Sequence, residues 1–216
     1  HVFTKESFMC LSDDSFETNL WGIIPRKKQV FDWETCKNVA DFFANIIDYK
    51  SFVADLSQLM AAIPMCIYAS HIDKERHVNQ YIHPIEPYDL CMTFVLERIL
   101  RDLPVNQNCV IILESRGAKE DRAVLDFIKG LIDNGTRFHP ASHFSRIKGV
   151  YFNPKWCKAA DDRMSYWELE LADLCAYPIQ KFFVYGTMDL AFQVILPKLS
   201  HYPDHMGKGL KSFPIT

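Results

Sequence analysis

A chain of 216 residues, 49% hydrophobic and 13% aromatic, has enough apolar surface for a sizeable core, which excludes wholesale disorder and favours a single domain over residues 1–216. Lys plus Arg total 24 against 27 Asp plus Glu, a formal charge of −3, so any basic surface is local rather than global. The seven cysteines are odd in number and scattered, with no C-x-x-C pair, which predicts a reduced, cytoplasmic protein without a disulfide framework or a cysteine zinc site.

The opening predicts a hairpin: Phe8-Met9-Cys10-Leu11, polar residues 12–19, then Leu20-Trp21-Gly22-Ile23-Ile24 stopped by Pro25. His1 to Asp14 mixes charges and lacks an apolar run, so no signal segment is expected. Two helical patterns follow, one on Val39, Phe42, Phe43, Ile46 and Ile47, the next on Phe52, Leu56, Leu59 and Met60. Leu56 to Ser70 is the longest uncharged stretch, and with Ser57, Gln58 and Pro64 in it no membrane span is expected. Met65 to Ile72 reads as a strand, and Pro87 as the first residue of a helix carrying Cys91, Met92, Val95, Leu96, Ile99 and Leu100. The apolar run Cys109 to Leu113 predicts a central strand covered on both faces. A helix on Val124, Phe127, Ile128, Leu131 and Ile132 ends near Asn134-Gly135, and Gly149 to Phe152 forms a short strand. Tyr166 to Phe183 is a helix bent or broken at Pro178, with another helix over Leu190 to Leu199. Strands alternating with helices predict an α/β layer fold with a partly parallel sheet.

Candidate chemistry centres on Ile111-Ile112-Leu113-Glu114-Ser115-Arg116-Gly117, where a carboxylate closes an apolar strand just before a glycine turn and a new helix. In open α/β sheets ligands collect at such carboxyl ends, and a charge at the rim of a dry core is paired or holds a metal. The competing account is a Glu114–Arg116 pair or a helix cap. Asp121, in the first turn of the next helix, complements the helix dipole. In Trp167 to Ala176, Trp167, Leu171, Leu174 and Cys175 share the core side with Phe182, while periodicity sends Asp173 to the opposite face with Glu170, Tyr177 and Gln180. Asp13 and Asp14 close the first strand candidate, where a turn or cap competes. Carboxylates from the first strand, a middle strand and a late helix are the type of set that chelates Mg²⁺ or Mn²⁺ for attack on a phosphodiester. Arg137, Arg146, Lys148, Lys155, Lys158 and Arg163 form one basic stretch; Lys198, His201, His205, Lys208 and Lys211 form another. Either suits a phosphate backbone, with a solvated surface as the plainer account. The eight histidines show no H-E-x-x-H or comparable ligand spacing; His71 with His77, or His139 with His143, could be ligands, with lone surface or core histidines the plainer account, and no P-loop, G-x-S-x-G or G-x-G-x-x-G is present.

Glu114-Ser115-Arg116-Gly117 with Asp121, then Glu170 to Tyr177 and the ending Gly209-Leu210-Lys211-Ser212-Phe213-Pro214, resembles the bacterial and phage "domain of unknown function 3800" family. Ile72-Asp73-Lys74 and Pro87-Tyr88 resemble its middle section, so the likeness spans most of the chain. Its Asp-Glu-Ser strand motif has its best counterpart in Asp13-Asp14-Ser15, where Asp14 replaces the Glu and Phe16 stands in place of a usual Gly. The resemblance implies an RNase H-like mixed sheet with flanking helices and a divalent-metal-dependent nuclease. Asp13, Glu114 and Asp173 would be the catalytic, metal-holding acids, and Asp121 would assist them. Arg116, Lys208 and Lys211 would contact a nucleic-acid substrate. The alternatives are a non-catalytic RNase H-like interaction module and, more weakly, a metal-dependent phosphatase or nucleotide hydrolase.

Overall fold

The computed structural model describes residues 2–3, 49–153, 157–158, 163–164 and 167–214. The hairpin expected over Phe8–Leu11 and Leu20–Ile24, the helix on Val39 to Ile47, and Asp13 lie outside the described residues.

In chain order the elements are β1 (Val2–Phe3), α1 (Tyr49–Ala62), β2 (Ala69–Ile72), α2 (Lys74–Gln80), α3 (Pro87–Asp102), β3 (Cys109–Glu114) and α4 (Ala118–Asn134). There follow α5 (Ala141–Phe144), β4 (Ile147–Asn153), the short strands β5 (Cys157–Lys158) and β6 (Arg163–Met164), α6 (Trp167–Tyr185), α7 (Leu190–Ile195), a 3-10 turn (Leu196–Lys198) and β7 (Leu210–Phe213). This is a mixed α/β architecture. β1, β2 and β7 form a parallel sheet in that order, β3 and β4 a parallel pair, and β5 and β6 an antiparallel one.

Local chemistry explains where the helices start and stop. Glu86 caps α3, its carboxylate accepting from the Tyr88 and Asp89 amides at 2.6 and 3.2 Å, and Pro87 sits where its missing N–H costs nothing. α4 begins after Gly117 (φ 119°) and ends at Gly135 (φ 73°), whose amide bonds the Leu131 carbonyl. Both glycines occupy the left-handed side of backbone space that other residues avoid. α2 follows from Asp73, which caps it by accepting from the Arg76 amide at 3.0 Å. Of the bend or break expected at Pro178, the break does not occur: α6 runs continuously through Pro178, which is buried within it.

Two cores hold these elements. Side chains alternate across β2, so Ala69 joins a core with Leu171, Cys175 and Ile179 of α6 and Phe192 of α7, while Ile72 joins a second core with Leu90, Leu96 and Leu100 of α3. β2 is thus sandwiched between α6 and α3. The second core continues through Ile128 and Leu131 of α4 and Phe144 of α5 to Cys109, Ile111 and Leu113 of β3.

The expectation that β3 is covered on both faces fails. Its burial alternates: Cys109, Ile111 and Leu113 turn to the core, whereas Val110 is 55% and Ile112 37% exposed. Among the described residues β3 pairs only with β4, whose Tyr151 lies beside Ile112 and is 59% exposed. An apolar run records what a strand can bury; the helices packed on it decide what it does bury. Likewise Cys66 is exposed and Cys109 half-buried although apolar residues flank both, while Cys175 is buried on the core side of α6, as its helical spacing predicts.

Candidate functional site

Glu114 is the last residue of β3, paired in register with Asn153, the last residue of β4. The two strands are parallel, so both side chains leave the sheet at its carboxyl edge. Glu114 alternates onto the outer face with Val110 and Ile112, and exposure falls along that face toward it; Glu114 is half-buried and Asn153 buried. α6 packs against β3 as well as β2. The helix carrying Asp173 is therefore seated on the strand carrying Glu114. Asp173 is itself half-buried, although it lies across the helix from Leu171, Cys175 and Ile179. Leu174, expected to face the core, is 40% exposed. The core side of α6 is turned toward Ala172 and Ala176 instead.

The turn after Glu114 is held by Asp121. Its Oδ2 accepts from the Ser115 hydroxyl at 2.6 Å and its Oδ1 from the Arg116 amide at 2.9 Å, while the Ser115 amide bonds the Asn153 carbonyl. Asp121 thus does more than complement the α4 dipole: with both oxygens engaged, it fixes the backbone that follows Glu114. Arg116 is exposed on this turn, its guanidinium 5.5 Å from the ring centroid of Tyr88 near the start of α3. Burial pushes the Tyr88 hydroxyl above the ordinary tyrosine range, against the lowering effect of Arg116. The hydroxyl is therefore neutral beside the cation.

The other expected contacts are dispersed. Lys208 is exposed ahead of β7, and Lys211 lies within β7 on the face that carries Phe213 toward the second core. His71 and His77 do not converge. His71 stacks on Phe183 of α6 at 4.4 Å, and His77 packs edge-on against Phe213 and meets the Ile85 carbonyl through Nε2. Burial lowers the His71 imidazole from its ordinary range, with Asp73 opposing. His139 and His143 stack at 4.3 Å, and His143 Nε2 meets the Glu97 carbonyl, a packing role.

One polar cluster was not foreseen. Asp102, at the end of α3, receives Tyr68 and Ser200 hydroxyls and His201 Nε2 on Oδ2, each at 3.0 Å, and Arg101 Nε on Oδ1 at 2.7 Å. Burial raises the carboxyl, but Arg101, Ser200 and Tyr68 outweigh it and hold Asp102 well below the ordinary aspartate range. A Ser-His-Asp reading fails on connectivity: Ser200 and His201 both end on the same carboxylate oxygen, so the imidazole does not relay the serine proton. The cluster ties α3 to the segments entering β2 and leaving the 3-10 turn. A cavity of about 340 Å³, sharing Tyr68 with this cluster, is lined by Met65, Cys66, Tyr68, Val95, Leu171 and Cys175, among others. Burial pushes the Cys175 thiol up to about 11, so it is no nucleophile at neutral pH.

Among the described residues no three His, Cys, Asp or Glu side chains form a ready ligand group, and no helix is long and apolar enough to cross a membrane. No family model matches the chain, and neither a curated protein nor a solved structure matches it.

Proposed function

We propose that the protein is an RNase H-like, divalent-metal-dependent nuclease whose site lies at the carboxyl edge of β3 and β4. The observation that carries this reading is the packing of α6, with Asp173, against β3, where Glu114 ends the strand beside Asn153. Asp13 of the Asp13-Asp14-Ser15 motif, outside the described residues, would be the third acid. The donors fit the metal: carboxylates and a neighbouring amide are hard oxygen ligands of the kind Mg²⁺ and Mn²⁺ take. A bound cation of this type supplies Lewis-acid charge for the attack of water on a phosphodiester. The chain's own part is to hold and orient. Glu114, Asp173 and Asp13 hold the cation, and Asp121 fixes the turn after Glu114. Arg116 offers its planar N–H fork to phosphate oxygens.

Millimolar Mn²⁺ should raise the melting temperature of the wild-type chain, because a ligand that binds only the folded state stabilises it. The Asp173→Asn variant should lose that response. An equal response in both would remove Asp173 from the site. No response in the wild type would favour a non-catalytic module, in which these acids serve as caps and ion-pair partners.

A further inference from the structure

α3 and β7 build a shelf of alternating cations and rings. Lys211 Nζ lies 5.7 Å from the Phe94 ring centroid and 6.0 Å from that of Phe213. Arg98 covers the same Phe94 ring at 5.6 Å. Its guanidinium is fixed without a carboxylate: Nε and Nη2 donate to the Gly207 carbonyl at 3.2 and 3.0 Å, and Nη1 to that of Phe94 at 2.8 Å. The rings continue outward, with Phe213 5.4 Å from Phe94 and Tyr81 stacked on Phe213 at 5.8 Å and 17°. Tyr81 is 39% exposed at the end of this row.

Like charges this close repel, and desolvation adds to the cost. Burial first, then Arg98, pulls the Lys211 ammonium below its ordinary range. Lys211 has no ion-pair partner among the described residues. A fixed pair of cations with this cost is relieved by an anion, and the exposed ring of Tyr81 at the end of the row offers a π-face to a base. An isolated phosphate would satisfy the cations and leave Tyr81 unused. A nucleic-acid strand uses both. We propose that the shelf of Arg98, Phe94, Lys211, Phe213 and Tyr81 is a binding track for single-stranded nucleic acid, with Lys211 on a backbone phosphate and Tyr81 under a base. Its role as a substrate track rests on the nuclease reading; the binding itself does not.

The test uses the full chain in EDTA, so that cleavage plays no part, and the fluorescence anisotropy of a labelled single strand of about 12 nucleotides, within the range such grooves span. Lys211→Met keeps the aliphatic stem on Phe94. It should weaken binding about 5- to 10-fold and lower the slope of log affinity against log salt by about 0.7. Tyr81→Ala should weaken binding at least about 5-fold, and an abasic strand should bind the wild type as weakly as the normal strand binds this variant. As a check that needs no variant, bound strand should protect Lys211 from acetylation, read by mass spectrometry. Wild-type affinity in both variants, or an unprotected Lys211, overturns the track. Weakening by Lys211→Met alone, with Tyr81→Ala unchanged and inorganic phosphate competing fully, leaves a bare anion site and also overturns it. Strand binding that depends on both residues, in a chain that cleaves nothing with Mn²⁺, would sink the nuclease reading and leave the track standing.

Discussion

β2 and β3 are both short parallel strands, yet they are enclosed in opposite ways. β2 reads Ala-Ser-His-Ile, half of it polar, and is covered on both faces, by α6 over Ala69 and His71 and by α3 over Ser70 and Ile72. β3 reads Cys-Val-Ile-Ile-Leu-Glu and is covered on one face, leaving Val110, Ile112 and the neighbouring Tyr151 open, with Glu114 half-buried at its end. Enclosure follows the helices rather than the hydrophobicity of the strand. The enclosed sheet serves as a frame. The half-open pair carries Glu114 at the end where burial begins.

The largest expected effects separate the two regions by stability. Phe192→Ala empties a fully buried position in the core over β2 and should cost about 3–5 kcal/mol in denaturant unfolding. Val110→Ala, on the open face of β3, should cost less than about 1 kcal/mol. Comparable losses would mean that the outer face of β3 is covered after all.

Glycines give a second contrast. A methyl at Gly209, just before β7, would run into the Ser200 backbone, which has no room to yield, so Gly209→Ala should cost about 1–3 kcal/mol. At Gly149 in β4 the added carbon would first meet the ring of exposed Tyr151, which can swing outward. Gly149→Ala should change the unfolding midpoint little, and a large loss there would show that Tyr151 is pinned.

A smaller, pH-dependent effect tests the polar tie behind the frame. Asp102 is held below its ordinary range by Arg101, Ser200 and Tyr68, with His201 on the same oxygen. Its contribution is therefore complete above the unfolded-state value of about 4 and is lost as pH falls through the lower folded value. Asp102→Asn should destabilise by about 2 kcal/mol at pH 7, and the gap to wild type should narrow below about pH 4. A gap independent of pH would assign the loss to packing.

What was legible in the chain follows the range of the forces involved. The start of α3 and the end of α4 could be read because their signals are local: Pro87 at the first helical position, and Gly135 after the last apolar position. Glu114 could be singled out because a strand, a carboxylate, a glycine and a helix follow in order. The half-burial of Asp173 could not, since helical periodicity describes one face and α6 is covered on more than one side. Continuity of α6 through Pro178 was hidden for a similar reason, because packing on both sides of the proline overrides its local tendency to break the helix. The Asp102 cluster draws on residues 68, 101, 200 and 201, and the pairing of Lys211 with Arg98 spans α3 and β7; no window of sequence contains either.

The central claim is that Glu114, at the half-open edge, holds the metal of a nuclease. The direct measurement is the cleavage rate of single-stranded DNA and RNA by wild type and Glu114→Gln in Mn²⁺, with EDTA as the blank and circular dichroism as the fold control. The account predicts cleavage by the wild type that EDTA abolishes, and a loss of at least about 100-fold in the folded variant, the scale seen when a preorganised charge is removed from an active site. Metal-dependent cleavage at the wild-type rate by Glu114→Gln, or none by the wild type, would contradict it.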